Sequence, residues 1–302
     1  MTFLGEIITA MVTPFDNDLK VDHSQAAKLA KFLVENGTET ILISGTTGES
    51  PTLDPEEVKQ LVSTVKKAVG SKTKLLVGAG TNNTEKSIKL AKEMTEAGAD
   101  ALLIVVPYYN KPSQEGMKAH FSAVASSVNT PIIMYNIQSR TGVNMLPETI
   151  TDLAKKHKNI IAVKQSHPDM DQITEIIQNS PEGFVIYSGD DSLTLPMMSL
   201  GAYGVISVAS HLIGSKLKEM TTNYKAGKTK EAIRIHLECY PVMKKIFIAP
   251  NPTPIKYALK EIGVLTNDNV RLPLVPINES QQKTIKEMLK DATNLLPACA
   301  NR

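Results

Sequence analysis

Cysteine is scarce. The 302 residues contain two, Cys239 and Cys299, far apart and without histidine or cysteine neighbours at metal-ligand spacing. Neither a disulfide framework nor a zinc site is indicated, and a reducing cytoplasm fits. Charge of either sign is without excess: Lys plus Arg number 33 against 31 Asp plus Glu, and a net charge of +2 gives no field that favours nucleic acid or an anionic membrane. No uncharged apolar run reaches the ~18 to 20 residues of a bilayer span, the longest being strand-length stretches such as Ala101 to Val106. The N-terminal segment lacks a basic region, and Glu6 precedes any apolar stretch suited to export, so a cytoplasmic location is expected. The six histidines are scattered without metal-binding spacing, so no metal is expected. Gly78-Ala79-Gly80 lacks the rest of a dinucleotide fingerprint, and no nicotinamide cofactor is expected either.

What is present is an ordinary globular composition, 42% hydrophobic and 21% charged, which suits a buried core and small-molecule partners. The length allows two domains of ~150 residues or one barrel of ~250 with an appendage. Short runs rich in Ile and Val recur between amphipathic Lys/Glu-rich segments, the pattern of parallel strands covered on both faces by helices. Strands are expected at Ile7 to Val12, Thr40 to Ser44, Lys74 to Gly78, Ala101 to Val106, Pro131 to Tyr135, Ile160 to Lys164, Phe184 to Ser188 and Gly204 to Val208. Helices fall between them at Ser24 to Glu35, Pro55 to Val69, Thr84 to Ala97, Ser113 to Val128, Pro147 to His157, Met170 to Gln178 and Ser192 to Leu200. Asp54-Pro55-Glu56-Glu57 reads as a cap followed by a first-turn proline and two acids, and Asp169 is a second candidate cap.

Eight such units, ending near residue 225, favour a (β/α)8 barrel over 1–225 that carries the active site, with a doubly wound sheet as the alternative. Residues 226–302 read as a C-terminal helical extension, with helices around Glu231 to Ile246, Pro254 to Ile262 and Glu279 to Leu295. Asn251-Pro252-Thr253-Pro254 and the proline-rich stretch from Arg271 to Pro276 read as loops between them.

In a barrel the reactive groups sit just after the strands. Here these positions hold Gly45-Thr46-Thr47-Gly48-Glu49-Ser50, Pro107-Tyr108-Tyr109-Asn110, Tyr135-Asn136 with Arg140 nearby, and Lys164 at the end of an apolar strand. A buried lysine is disfavoured as the ammonium, which frees its amine to attack a carbonyl. The competing reading is a strand-end lysine that reaches water or pairs with a carboxylate such as Asp190. Tyr135 offers a phenol for proton transfer, or else a packing aromatic. The glycine-threonine loop can present amides and hydroxyls to a carboxylate or phosphate, or form a plain tight turn. Arg140 can grip a carboxylate or serve a structural salt bridge.

Taken together, these motifs resemble the family of dihydrodipicolinate synthases and N-acetylneuraminate lyases, which are Schiff-base-forming, pyruvate-dependent class I aldolases. The resemblance spans nearly the whole chain. It also takes in Thr13-Pro14-Phe15, Gly78 to Asn82, Lys111-Pro112, Ser139-Arg140-Thr141-Gly142, Ser188 to Asp191, Gly204 to Val208 and Asn251-Pro252. It implies that Lys164 forms an imine with pyruvate without a further cofactor and that Tyr135 shuttles protons with Thr47 and Tyr109. Thr46 and Thr47 would hold the pyruvate carboxylate, and the Ile206 carbonyl would lie beside the imine. Arg140 and the doubled threonine favour the synthase branch, with L-aspartate 4-semialdehyde as second substrate and a role in lysine and diaminopimelate synthesis. Tyr109 would enter a neighbouring subunit's site, in a dimer commonly paired into a homotetramer.

There are three departures, of which the first two bear on the second substrate more than on the imine. Gln138 stands where the family usually has proline, Gln165-Ser166-His167 replaces an acidic-small sequence, and His211 takes a common asparagine position. A sugar-acid aldolase and a non-catalytic pyruvate or amino-acid binding protein are the alternatives. Lysine-inhibited relatives use a histidine and a glutamate where Val58 and Lys86 stand here, and a lysine at 86 would repel the effector's ammonium, so weak or absent inhibition is expected.

Overall fold

The computed structural model describes residues 4–297, so Cys299 lies outside the described residues. Its strands are β1 (Ile7–Ala10), β2 (Thr40–Ile43), β3 (Lys74–Gly78), β4 (Ala101–Val105), β5 (Ile132–Asn136), β6 (Ile160–Gln165), β7 (Val185–Ser188) and β8 (Gly204–Ser207). The helices are α1 (His23–Glu35), α2 (Pro55–Val69), α3 (Thr84–Glu96), α4 (Gln114–Ser127), α5 (Gln138–Thr141), α6 (Pro147–Lys156), α7 (Met170–Asn179), α8 (Thr194–Leu200), α9 (Ser210–Lys225), α10 (Thr229–Lys245), α11 (Thr253–Glu261) and α12 (Glu279–Asp291).

The strands pair in chain order, β1 to β8, as a closed barrel. All four residues of β1, β2 and β8 are buried, as are all five of β5. Burial on both faces explains why these segments read as continuous apolar runs. Helix starts follow the caps seen in the sequence. Asp54 and Glu57 form a reciprocal capping box ahead of Pro55, and Asp169 accepts from the Asp171 and Gln172 N–H groups.

The chain divides into two compact units, one built on Leu75–Ile206 and including Gly5, the other on Glu6–Lys74 and the segment from Ser207. In the first, β3 to β8 form a parallel ladder in which Tyr135 is the register partner of Lys164, and Asn136 that of Gln165. In the second, β1 pairs with β2 and Thr9 on β1 shares hydroxyl contacts with Thr38 at 2.6 Å and Ser210 at 2.8 Å. Helices α10 to α12 belong to this second unit. Residues Thr253 to Leu259 of α11 are buried without interruption, so this helix is enclosed on all sides until its last two residues, Lys260 and Glu261, which are exposed. Cys239 on α10 is a buried free thiol, pushed up to about 12 chiefly by that burial.

Candidate active site

Lys164 is 6% exposed and the fifth residue of β6, so the pleat sets it on the same face as Ala162 and Ser166. Its ammonium lies 4.4 Å from the centre of the Tyr135 ring, which is 6% exposed at the matching position of β5. That geometry follows from parallel pairing, because register partners carry their side chains to the same face. Among the described residues Lys164 enters no ion pair. Asp190, the carboxylate considered for it, instead caps the turn after β7, its Oδ1 accepting from the Ser192 N–H at 3.0 Å and the Ser192 hydroxyl at 2.9 Å. An unpaired, nearly buried lysine against a phenol is the arrangement of a nucleophile with a nearby proton carrier.

Ser166, two residues beyond Lys164, has a buried Oγ without a hydrogen-bond partner. Gln165 between them faces the other way and accepts from Asn136 Nδ2 at 3.1 Å. Asn136 is fully buried and also donates to Asn144 Oδ1 and the Met145 carbonyl, at 2.8 and 3.0 Å, while its Oδ1 accepts from the Met145 N–H. One carboxamide therefore ties the end of β5 to Asn144 and Met145, three and four residues beyond the α5 segment. Arg140 rides on that segment. It is exposed, enters no ion pair among the described residues, and sits in a single turn closed by Gly142 at φ +76°, whose N–H donates to the Gln138 carbonyl. Tyr109 is 88% exposed, and both it and Lys111 have positive φ, 72° and 45°. Ile206 is buried on β8.

In the second unit, the Gly45–Ser50 segment is a compact turn. The Gly48 and Ser50 N–H groups donate to the Gly45 carbonyl and the Glu49 N–H to the Thr46 carbonyl. The N–H groups of Thr46 and Thr47 are left without a partner among the described residues. Two adjacent amides that are free to donate form a concavity for an oxyanion such as a carboxylate. Thr47 is 3% exposed, and its Oγ1 accepts from Asn251 Nδ2 at 2.9 Å, while Thr13 donates to the Gly48 carbonyl at 2.7 Å. Ser44 and Glu49 hold φ of 56° and 58°. Among the described residues, four of the five non-glycine residues at positive φ lie in or beside the motifs after β2 and β4, the strain expected of a turn held for function.

Lys164, Tyr135, Arg140, Tyr109 and Ile206 thus lie in the first unit and Thr46 and Thr47 in the second, and three groups beside them carried no role in the sequence reading. Asn136 stands out only as a polar residue at an apolar strand's end, and Ser166 is one of several polar residues that follow β6. Lys256, which meets Glu49, stands in no motif, and only the unbroken burial of α11 marks it.

The profile of the Dihydrodipicolinate synthetase family matches residues 3–292. The 4-hydroxy-tetrahydrodipicolinate synthase of Bacillus subtilis (strain 168) is 46% identical over 287 residues, covering 95% of this chain and 99% of that protein. That of Moorella thermoacetica is 48% identical over 292 residues, 97% and 99% of the two chains. Among solved structures, a dihydrodipicolinate synthase of Bacillus anthracis superposes with a TM-score of 0.93 at 44% identity, over 96% of this chain and 99% of that one. The DHDPS from Cyanidioschyzon merolae with lysine bound gives 0.94 at 41% identity, over 97% and 99%. With an eight-stranded barrel, the strand-end lysine and tyrosine, and similarity along nearly its full length, the chain belongs to the dihydrodipicolinate synthetase family.

Proposed function

We propose that this chain is a 4-hydroxy-tetrahydrodipicolinate synthase, condensing pyruvate with L-aspartate 4-semialdehyde through a Schiff base on Lys164. The observation that carries the reading is Lys164 itself, nearly buried, free of ion pairs among the described residues, and 4.4 Å from the Tyr135 ring. Its amine adds to the pyruvate carbonyl carbon, and the carbinolamine loses water to give the imine. Tyr135 carries the protons of both steps, with Thr47 and a partner's Tyr109 completing the relay. Loss of a methyl proton turns the imine into an enamine, whose terminal carbon attacks the aldehyde of the second substrate. The amine of that substrate then displaces Lys164 in ring closure, so no further cofactor is consumed.

The free Thr46 and Thr47 amides support a role in holding the pyruvate carboxylate, and the exposed, unpaired Arg140 supports one in holding that of the semialdehyde. The Ile206 carbonyl would lie beside the imine. The reading is of a cytoplasmic enzyme, organised as a barrel over 1–225 with a helical extension over 226–302, acting on small anions without nucleic acid or membrane. Among the described residues no helix is long and apolar enough to cross a membrane. A homotetramer built from dimers is supported by one exposed aromatic side chain and one apolar helix face. Tyr109 is 88% exposed, and α10 presents Ile233, Leu237 and Tyr240 at four- and three-residue spacing, 46%, 63% and 46% exposed.

Borohydride reduction in the presence of pyruvate tests the imine: a pyruvyl-derived adduct on Lys164, absent in K164A, is expected, and no adduct overturns the reading. One observation favours a second aldehyde. The unpartnered Ser166 hydroxyl, on the face of Lys164, suits a hydroxylated substrate such as a sugar-acid aldehyde. Preferred consumption of pyruvate with such an aldehyde over L-aspartate 4-semialdehyde would select that reading.

A further inference from the structure

Glu49 closes the Thr46–Thr47 turn in a left-handed conformation, φ 58°, with its side chain buried. Lys256 Nζ donates to its Oε1 at 2.6 Å and to the Asn269 carbonyl at 2.7 Å, while the Arg271 N–H donates to Oε2 at 3.0 Å. Both partners of the ion pair are 1% exposed in their side chains. The Phe15 ring meets both cations, with Lys256 Nζ 4.2 Å and Arg271 Cζ 4.5 Å from its centre. Three motifs without a role in the chemistry, Thr13 to Phe15, Glu49 of the turn, and Asn251 ahead of α11, therefore meet in one arrangement within the second unit.

Such a pair is a poor means of gaining stability. Desolvating two charges offsets most of their attraction, and apolar replacements of similar volume are often as stable. What the pair does provide is direction: the carboxylate of a residue two positions after Thr47 is fixed to α11 and to the chain at Arg271, in addition to the Asn251 contact on Thr47 itself.

We propose that Lys256 is a positioning residue which, through Glu49, holds the Thr46–Thr47 turn in the shape that receives the pyruvate carboxylate. The inference rests on the reading of that turn as the carboxylate site. Lys256 touches neither substrate. Removing its charge leaves Glu49 buried and unpaired, and the turn then loses the orientation of its two free amides. Burial holds the Lys256 amine below the usual lysine range, with the aid of Arg271 and against the pull of Glu49 and Asp268.

The test is steady-state kinetics on the full-length enzyme, with pyruvate and L-aspartate 4-semialdehyde varied separately, on wild type, K256M, K256R and the E49Q/K256M double variant. In K256M the pyruvate KM rises about tenfold or more, in line with the cost of a misplaced binding group, while the semialdehyde KM stays within about threefold. K256R recovers most of the loss, because a guanidinium keeps the charge that orients Glu49. The double variant, which buries no charge, regains the melting temperature lost in K256M yet keeps the raised pyruvate KM. An unchanged pyruvate KM in K256M, or a double variant restored to wild-type KM, overturns the proposal. Borohydride trapping separates this from the reading beneath it. Wild type that traps no pyruvate overturns both, whereas half-saturation of trapping at the same pyruvate concentration in K256M and wild type overturns the positioning role alone.

Discussion

Lys164 passes directly over Gly189: a Cβ at residue 189 would lie 3.0 Å from Lys164 Cε and 1.8 Å from Ser166 Oγ. The glycine after β7 is there for room, and it sets how closely the nucleophile can lie along the strand ends. We expect G189A to lower kcat/KM for pyruvate by about 100-fold, the scale of a displaced catalytic group. The G189A/S166A variant recovers only part of this, since the Lys164 contact remains. Rates measured alongside borohydride trapping check the point, and wild-type activity in G189A would refute it.

Ser166 has a complementary signature. Its buried hydroxyl has no partner, so it costs stability in the free enzyme. S166A should therefore melt at the same temperature or higher, by up to about 1–3 kcal/mol of recovered desolvation. A drop in melting temperature would mean that the hydroxyl is structurally satisfied.

Asn136 ties down the segment that carries Arg140. Its carboxamide bonds to the N–H and carbonyl of Met145 and to Asn144, and Asn144 in turn donates to Gln172 Oε1 at 2.7 Å. N136A leaves these buried groups unpaired and should destabilise the protein by about 1–3 kcal/mol. It should also raise the semialdehyde KM more than the pyruvate KM, because the freed segment holds Arg140. Equal effects on both substrates would place the damage at the neighbouring Tyr135 instead.

The eight strands were legible because most of their residues are buried on both faces and apolar. Their ends were not. Asn136 and Gln165 extend β5 and β6 by one residue, since the two amides bond to each other and allow polar side chains to continue the ladder, with the Ser166 N–H donating to the Asn136 carbonyl. Helix α5 is one turn without room for a period, and α9 departs from helical geometry at Ile213, φ −127°, which breaks its pattern. Lys164 and Tyr135 could be found because reactive groups stand out at the ends of apolar strands. Glu49 was visible in its motif, but its cation was one of 33 lysines and arginines, and only the fold brings residues 207 positions apart into contact.

Inhibition by L-lysine is expected to be weak or absent. Val58 is buried on α2 and cannot reach a ligand outside the unit, and Lys86 is an exposed cation on α3. A second ammonium beside Lys86 would be repelled instead of paired. Steady-state rates in millimolar L-lysine should match those without it, and strong inhibition would show that other residues form an effector site.

His211 gives the fold a specific acid sensitivity. Its Nε2 accepts from the Val12 N–H at 3.2 Å, so the neutral ring carries its proton on Nδ1, which donates to the Val208 carbonyl at 2.8 Å. Full burial brings the group down from 6.5 to about 4, with the bond to Val208 opposing. Below pH ~6.5 the unfolded chain takes up a proton that the folded chain refuses, so stability is complete above that value and falls as pH drops toward ~4. The loss between about pH 7.5 and about pH 5 should be about 2 kcal/mol. H211N keeps an acceptor for Val12 and a donor for Val208 but cannot titrate. Urea denaturation at the two pH values should show the variant losing about 2 kcal/mol less than wild type across this interval. Equal losses would mean that His211 takes up its proton as readily folded as unfolded.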